Sequence, residues 1–345
     1  MSDKQQLTDQ DLFVVYRMPQ KHDFFLLKHE SMKNSAFSFV IHPFDQSSNT
    51  PAVELKANQL IRNPNFIFKV DKHCDIPDTA KASYMNLANS LIQEMKHTAL
   101  EKVVISRTQS VDAEGIDLFD LYVNLCQTYP TAFVYLFNIP DEGTWMGATP
   151  EILVERKDQF IYTVALAATQ KVGDRSIKEV EWNSKEIEEQ AIIQRYIENH
   201  LIDGNVAFEK EPSYTTQAGN VFHIKTVYKI SDAPSIQPLI DLLHPGPAIC
   251  GMPKSLAKVR IIEGEKHDRA YYCGYLGLKS STETNLFINL RCMQVFKDRF
   301  VLYVGGGLTK DSTAESEWQE TSIKSKTLES VIQKSYIYTH DIEQA

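Results

Sequence analysis

Residues 317–324 read Glu317-Trp318-Gln319-Glu320-Thr321-Ser322-Ile323-Lys324, near the C-terminus. The segment 314–333 is predicted to be a helix, so Glu317 and Glu320, three residues apart, present both carboxylates on one face. Like charges held side by side repel unless a cation or a proton joins them. A second pair with the same spacing, Glu186 and Glu189, lies in another predicted helix far upstream. Two helices that each offer two carboxylates predict an oxygen-rich cage of the kind that a hard divalent cation prefers.

The composition sets limits on the fold and on the partners of the chain. With 345 residues and 43% hydrophobic content, it can bury the core of one large domain or of two ordinary ones. The net charge of −9 and the isoelectric point near 5.6 argue against a nucleic-acid or anionic-membrane surface. An acidic protein that binds an anionic substrate must do so with local cations, either a metal ion or buried basic groups.

Targeting signals and cysteine usage indicate the compartment. Residues 1–11 are polar and lack an apolar centre, so no signal peptide is expected, and no apolar run approaches membrane-spanning length. The five cysteines are scattered and show no C-x-x-C pattern: Cys74, Cys126, Cys250, Cys273 and Cys292. This usage indicates reduced thiols that fill the core of a cytoplasmic protein, and neither disulfides nor a zinc site.

Short apolar runs and helical periodicities predict the secondary structure. In the first 80 residues, strands are predicted at 12–16, 24–27 and 37–41, and this region is expected to be the more variable edge of the fold. Helices are then predicted at 79–96, 117–127, 178–200, 235–243 and 254–265. Further strands are predicted at 101–107, 132–139, 144–149, 152–156, 160–166, 221–230, 271–278, 285–296 and 299–303.

The order of these elements favours one fold class. The strands mostly meet through short hairpins instead of regular βαβ crossovers, which argues against a doubly wound parallel sheet. The glycine run 305–307 precedes a polar loop and not a helix, so it does not match a nucleotide-binding fingerprint. The pattern predicts an α+β fold with large antiparallel sheets packed with helices.

Lys102 begins the predicted strand 101–107. Strand alternation puts Lys102, Val104 and Ser106 on one face of that strand. Lys102 is either a strand-end lysine whose ammonium reaches water or a partly buried amine whose lowered pKa lets it act as a general base.

Three further polar residues have two interpretations each. Glu151, after the small-residue turn 147–150, is either a solvated carboxylate or one delivered to a closely packed strand start. Arg291 lies in the apolar strand predicted at 285–296 and is either part of an internal salt bridge or a clamp for an anionic ligand. His223 is more often a core histidine with satisfied hydrogen bonds than a catalyst.

With these residues in view, the chain resembles the chorismate-utilising enzymes: isochorismate synthase, salicylate synthase, and component I of anthranilate synthase and of aminodeoxychorismate synthase. The resemblance covers roughly residues 102–326. It rests on Lys102-Val-Val-Ile-Ser-Arg107, Gly147-Ala-Thr-Pro-Glu151, Lys185-Glu-Ile-Glu-Glu189, His223-Ile-Lys-Thr226, His244-Pro-Gly-Pro-Ala-Ile-Cys-Gly-Met-Pro253, Asp268-Arg269, Tyr272-Cys273-Gly274, Ile288-Asn-Leu-Arg291, Gly305-Gly-Gly-Leu308 and Glu317-Trp-Gln-Glu-Thr-Ser-Ile-Lys324. It implies an anthranilate synthase component I-like fold, with two large antiparallel sheets in a single domain over 1–345 and a family core at 81–335.

The resemblance also implies the site. Glu189 and Glu320 would ligate Mg²⁺, supported directly or through water by Glu186 and Glu317, and the cation would hold the ring carboxylate of chorismate. Other implied substrate contacts, including those to the enolpyruvyl carboxylate, are Arg291, Tyr272, Gly305, Gly306, Gly307, Ala168, Thr169, His223, Ala248, Ile249 and Lys324.

The nucleophile divides the members of this family. Ammonia-using members typically carry Gln where this chain has Lys102, and aminodeoxychorismate synthases often have a Lys in the segment that corresponds to 166–169. Lys102 is present here and the second Lys is absent, which resembles the water-using members. By this resemblance, Lys102 would deprotonate water for addition at C2, and Glu151 would protonate the departing C4 hydroxyl.

The resemblance implies an isochorismate synthase that feeds menaquinone or siderophore biosynthesis. A cytoplasmic monomer is expected, with no amidotransferase subunit, nucleic acid or membrane as a partner. Salicylate synthase is the alternative enzyme, and Ala248-Ile249 favours release of isochorismate. A non-catalytic amidotransferase partner is the alternative class. Ala168, Gly246 and Gln190 depart from the usual Gly, Thr or Ser, and His, and Ala168 would crowd the pocket if its φ angle were positive.

Overall fold

The structure, a computed structural model, describes residues 4–30, 35, 37–46, 48–218, 221–231, 236–280 and 283–343. In these residues the chain forms six α-helices: α1 Lys81–Met95, α2 Leu118–Thr128, α3 Ser184–Asp203, α4 Gln237–Leu243, α5 Lys254–Gly264 and α6 Ala314–Glu343. The strands are β1 Gln5–Gln6, β2 Phe13–Arg17, β3 Phe25–Lys28, β4 Phe37–His42, β5 Val53–Ala57, β6 Ile61–Arg62, β7 Phe66–Ile67, β8 Lys102–Asp112, β9 Phe133–Ile139, β10 Gly143–Thr149, β11 Ile152–Lys157, β12 Phe160–Lys171, β13 Phe208–Lys210, β14 Tyr214–Ala218, β15 Val221–Ile230, β16 Gly251–Met252, β17 Tyr275–Lys279, β18 Thr284–Ile288, β19 Cys292–Val295 and β20 Arg299–Thr309.

Two large antiparallel sheets carry most of these strands. The first sheet has the order β16-β8-β20-β19-β10-β9-β2-β3-β6, and the second has the order β13-β15-β12-β11-β18-β17-β4-β5, with β14 also paired to β15. The N-terminal strands complete the end of each sheet, as expected for an edge of the fold. The predicted α+β class with two large antiparallel sheets is therefore confirmed.

The first sheet is buried on both faces. Along β9, every residue is buried and the side chains alternate between two cores. Phe133 and Tyr135 enter the core between the sheets, where Phe133 stacks on Phe287 of the second sheet with centroids 4.4 Å apart. Val134 and Leu136 enter a second core, beneath helices α2 and α6. The inner core is the layer in which the candidate site lies.

Several predicted elements are confirmed and others are wrong at their ends. Strand β15 has the predicted bounds, because buried and partly exposed residues alternate along its whole length. The helix predicted at 178–200 was placed too early, since a short 3₁₀-helix at Ile177–Glu179 comes first and α3 begins at Ser184. The strand predicted at 299–303 continues to Thr309 and includes the glycine run. The helix predicted from 235 begins at Gln237, and Ser235 lies outside the described residues.

The strand predicted at 285–296 is wrong in a way that matters for the site. The chain leaves the second sheet after β18 and enters the first sheet at β19. Arg291 lies in the connection and has a φ angle of +49°. A bulky residue in this left-handed region is uncommon, so no local pattern predicts the break.

Two sequence expectations about the whole chain can be compared with the structure. Cys250, Cys273 and Cys292 are buried, and all five cysteines are free thiols. Among the described residues, no helix is both long and apolar enough to cross a bilayer.

Candidate active site

Two connections between the sheets lie side by side and build the centre of the site. The chain passes from β10 to β11 through Pro150 and Glu151, and from β18 to β19 through 289–291. The two connections are hydrogen-bonded to each other, because the Thr149 hydroxyl donates to the Ile288 carbonyl at 2.6 Å and the Ile288 amide donates to the Glu151 carbonyl at 2.9 Å. These bonds place the Glu151 and Arg291 backbones in the layer between the sheets.

Glu151 is a carboxylic acid that burial keeps protonated to unusually high pH. Burial raises its pKa from 4.5 to about 7, and the positive charge of Arg291 opposes this rise. Glu151 lines a cavity of about 120 Å³ together with Pro150, Ile152, Val164, Leu166, Thr216, His223 and Lys225. A carboxyl group that is half protonated near neutral pH can act as a general acid.

Arg291 belongs to a different cavity. This cavity, of about 150 Å³, is lined by Val104, Ala248, Ile249, Tyr272, Cys273, Leu290, Arg291, Tyr303, Val304, Gly305, Gly307 and Lys324. Burial lowers the pKa of Arg291, and its guanidinium donates to the Lys324 carbonyl at 3.3 Å. A buried guanidinium beside a cavity needs an anion, so the arrangement suits a carboxylate ligand.

Lys102 lies on the same face of the first sheet as that cavity. Val104 and Gly307 are paired across β8 and β20, and a β-carbon on Gly307 would lie 3.1 Å from the Lys102 Cε. Burial lowers the pKa of Lys102, and the nearby charge of Glu189 is the largest influence that opposes the change. A neutral amine in this place can accept a proton.

Neither of these two cavities is lined by both Lys102 and Glu151. Lys102 lies beside the cavity that contains Arg291, whereas Glu151 opens onto the other one. Arg291 lines one cavity, and its charge also acts on Glu151, which lines the other.

The four predicted metal ligands are only partly brought together. The charges of Glu189, Glu317 and Glu320 all act on Lys102. Glu320 also forms an ion pair with Lys324 at 2.6 Å. Among the described residues, no group of three or more His, Cys, Asp or Glu side chains is placed to hold a metal ion. Carboxylate oxygens suit a hard divalent cation, so the donor chemistry fits Mg²⁺ at Glu189 and Glu320.

The two supporting carboxylates are held by other groups. Glu186 forms a capping box with Asn183 at the start of α3 and accepts from Gln170 Nε2 at 2.9 Å. Glu317 lies behind β20, on the face opposite Lys102, because a β-carbon on Gly306 would be 3.0 Å from its Oε2. Ser312 donates to the other oxygen of Glu317 at 3.0 Å.

Most predicted substrate contacts lie in one place. Six of them line the cavity of about 150 Å³ together with Arg291: Ala248, Ile249, Tyr272, Gly305, Gly307 and Lys324. Gly306 faces away from this cavity, toward Glu317. The glycines are needed for close approach, since a β-carbon on Gly305 would be 2.8 Å from the Tyr272 hydroxyl.

The remaining predicted contacts lie at a bulge of strand β12. Pairing with β15 shifts between Ala167 and Gln170, and Ala168 has a φ angle of +58°. Ala168 therefore has the positive φ angle at which an alanine in place of the usual Gly crowds the pocket. His223 Nδ1 donates to the Ala168 carbonyl at 2.8 Å, and burial lowers the pKa of His223. The side chain of Thr169 lies outside the described residues.

A family model described as chorismate binding enzyme matches residues 25–333. The chain belongs to this family. The match extends from strand β3 into helix α6 and therefore includes every candidate site residue.

The chain is similar to a named protein and to two proteins of known structure. The vibriobactin-specific isochorismate synthase of Vibrio cholerae is 25% identical over 259 residues, which are 71% of this chain and 65% of that protein. The chain thus spans less than two thirds of that relative. The menaquinone-specific isochorismate synthase of Escherichia coli has a similar fold, with a TM-score of 0.81 at 16% identity over 94% of this chain and 89% of that one. Anthranilate synthase component I of Streptococcus pneumoniae also has a similar fold, with a TM-score of 0.70 at 17% identity. The alignment covers 92% of this chain and 90% of that one.

A buried ion pair lies behind the cavity that contains Arg291, and the sequence analysis does not predict it. Arg269 forms an ion pair with Glu265 at 2.6 Å and donates to the carbonyls of Ile249 at 3.0 Å and Val104 at 2.6 Å. It therefore fixes two lining segments of the cavity to each other. Glu265 and Arg269 both follow the end of α5, so helical spacing does not predict their contact.

Proposed function

We propose that the chain is an isochorismate synthase, which converts chorismate to isochorismate. Membership of the chorismate binding enzyme family supports chorismate as the substrate. The names of the Vibrio cholerae and Escherichia coli proteins support the reaction. One is vibriobactin-specific and the other menaquinone-specific, so isochorismate is the product that these two relatives have in common.

The observation that carries the proposal is Lys102. Water at neutral pH must lose a proton to become an effective nucleophile, whereas ammonia needs no base. A buried amine with a lowered pKa, on the sheet face that carries the cavity lined by Arg291, supplies that base. This supports water, and not ammonia, as the nucleophile.

The proposed reaction is an allylic displacement with balanced proton transfers. Neutral Lys102 takes a proton from water as its oxygen forms a bond to C2 of the ring. The ring double bonds shift, and the C4–oxygen bond breaks. Protonated Glu151 gives its proton to the departing C4 hydroxyl, which leaves as water. Lys102 ends protonated and Glu151 ends ionised, and proton exchange with solvent restores both groups.

The two cavities set a requirement on this reaction. Chorismate carries two carboxylates, and Arg291, Tyr272 and Lys324 line the cavity in which one carboxylate would bind. The ring must then reach from this cavity to Glu151 in the other. Arg291 lines the cavity of the carboxylate and its charge also acts on Glu151, so movement of the Arg291 side chain is a change that would join the two cavities.

Glu189 and Glu320 would hold magnesium in the proposed enzyme. Bound Mg²⁺ would supply positive charge for the ring carboxylate and withdraw electrons from the ring. Glu320 would then exchange its ion pair with Lys324 for the cation, which leaves the Lys324 ammonium free to bind substrate.

Product analysis of the purified chain with chorismate and Mg²⁺ tests the proposal. Isochorismate has the mass of chorismate and is separated from it by liquid chromatography, whereas salicylate with pyruvate and anthranilate differ from both in mass and fluorescence. One assay with water or ammonia therefore separates the candidate activities. Lys102→Gln is expected to lower isochorismate formation by at least about 100-fold. Lys229→Gln, at a surface lysine paired with Glu209, is the matched control. Absence of product from the wild type, or undiminished product from Lys102→Gln, would contradict the proposal.

A further inference from the structure

Tyr84 of helix α1 carries a buried hydroxyl that has no role in the proposed reaction. The residue is only 2% exposed. Within the part of the chain that the structure describes, its hydroxyl has no hydrogen-bond partner. An unsatisfied buried hydroxyl lowers the stability of the fold, and phenylalanine would avoid that loss.

The ring of Tyr84 is held in place by the helix that carries the acidic pair. Trp318 lies edge-on to Tyr84, with centroids 5.4 Å apart and planes at 66°. The Arg107 guanidinium lies over the Trp318 ring at 4.4 Å and donates to the Thr321 hydroxyl at 2.8 Å. The Tyr84 ring is therefore packed against a part of α6 that Arg107 holds in place.

That hydroxyl lies near the carboxylate of Glu317. A β-carbon on Gly306 would lie 3.5 Å from the Tyr84 oxygen and 3.0 Å from Glu317 Oε2. The two oxygens therefore lie beside the same point behind β20, close enough for one water molecule or a small side-chain rotation to join them. The negative charges of Glu317 and Glu320 both act on the Tyr84 hydroxyl. A phenol beside a carboxylate is a natural donor to it.

We propose that Tyr84 is a positioning residue whose hydroxyl donates a hydrogen bond, directly or through one water molecule, to Glu317 and so orients the acidic face of α6. Glu317 is only 7% exposed, and its other oxygen accepts from Ser312. Tyr84 would add a donor on the side of Oε2. The inference rests on the proposed function only through the assumption that these carboxylates serve a cation site.

Mg²⁺ binding without substrate tests this inference. Tyr84→Phe removes only the oxygen, and it is expected to raise the dissociation constant for Mg²⁺ at least about 10-fold, as loss of outer hydrogen bonds does at other metal sites. Calorimetry measures this value, and Mn²⁺ provides a second readout by electron paramagnetic resonance. Tyr122→Phe, at a buried tyrosine in the core beneath α2 and α6, is the matched control and should bind normally.

A double-mutant cycle distinguishes positioning of Glu317 from a general structural role. In a Glu317→Gln background, Tyr84→Phe should have a much smaller effect on Mg²⁺ affinity, because the hydrogen bond to an amide oxygen is weaker than the one to a carboxylate. The thermal stability of Tyr84→Phe without cation should fall only slightly, because the variant loses one hydrogen bond and keeps the packing of the ring.

The outcomes separate this inference from the proposed function. Unchanged Mg²⁺ affinity of Tyr84→Phe, an equal effect in the Glu317→Gln background, or no Mg²⁺ binding by the wild type would each overturn the role of Tyr84. If Tyr84→Phe weakens Mg²⁺ binding as expected and chorismate is nevertheless not converted, the role of Tyr84 stands and the proposed function fails.

Discussion

Glu151→Gln is predicted to stabilise the folded chain at alkaline pH while it abolishes the proposed activity. Burial raises the pKa of Glu151 from 4.5 to about 7, so the folded state holds this proton more tightly than the unfolded chain does. Between these pH values, the folded state binds more protons, and stability is lost as the pH rises toward 7. Gln has nearly the same shape and never ionises, so the variant does not incur this loss.

The size of the effect follows from the difference between the two pKa values. Each unit corresponds to about 1.4 kcal/mol, so the variant should be more stable by about 3 kcal/mol at pH 9. At pH 5 the same relation gives a difference under about 1 kcal/mol. Below pH 4.5 the difference disappears, since Glu151 is protonated in both states.

Urea unfolding of both chains from pH 5 to pH 9 measures this difference. All other titrating groups are shared, so their contributions cancel in the comparison. Glu155→Gln is the control, because Glu155 lies on the same strand β11 but pairs with Lys157 at the surface. Its effect should remain below about 1 kcal/mol throughout. A pH-independent difference for Glu151→Gln, or a variant that is less stable at pH 9, would refute the assigned environment of this carboxyl group.

Three further predictions concern residues around the cavities. Ala168→Gly should stabilise the fold by up to about 1 kcal/mol in urea unfolding, because relief of the positive φ angle exceeds the added unfolded-state entropy; a less stable variant would contradict this. Gly307→Ala should displace Lys102 and lower kcat at least about 10-fold with little change in melting temperature, whereas normal kcat would exclude close packing of the two residues. Arg269→Met should cost about 3–5 kcal/mol, since Glu265 would remain as a buried charge, and adding Glu265→Gln should restore part of that loss in the same unfolding measurement.

Elements governed by local periodicity could be predicted from the sequence. Strand β15 alternates along its entire length, and helix α6 shows the expected start at Ala314. The face shared by Lys102 and Val104 also followed from strand alternation alone. These features depend on residues close in sequence, so the pattern contains the information that determines them.

The connection at Arg291 could not be predicted in this way. The run from β18 to β19 is apolar on both sides of Arg291 because both strands are buried, although they belong to different sheets. Only packing against the distant turn at Glu151 determines where the chain crosses. The separation of Lys102 and Glu151 into two cavities likewise depends on how the sheets face each other, and no spacing in the sequence encodes it.

Glu186 shows the opposite situation, because the local sequence contains a helix-capping signal at this residue as well as the spacing that predicts a metal ligand. Asn183 stands three residues before Glu186, which is the spacing of a capping box, and the structure shows both reciprocal hydrogen bonds. The same carboxylate was predicted to support a metal ion because it precedes Glu189 by three residues. Tyr84 had no comparable signal, since an aromatic residue at helical spacing indicates only a core position.

The paired connections between the sheets have a consequence for how the molecule folds. Thr149 and Ile288 are 139 residues apart in sequence, and their hydrogen bond joins the two places where the chain exchanges one sheet for the other. Neither sheet can be completed by one half of the polypeptide. A nascent chain that ends before Ile288 would lack strands that both sheets need. The acid and the guanidinium should therefore come together only at a late stage of synthesis, and two separately expressed halves should regain a functional pocket only when they assemble.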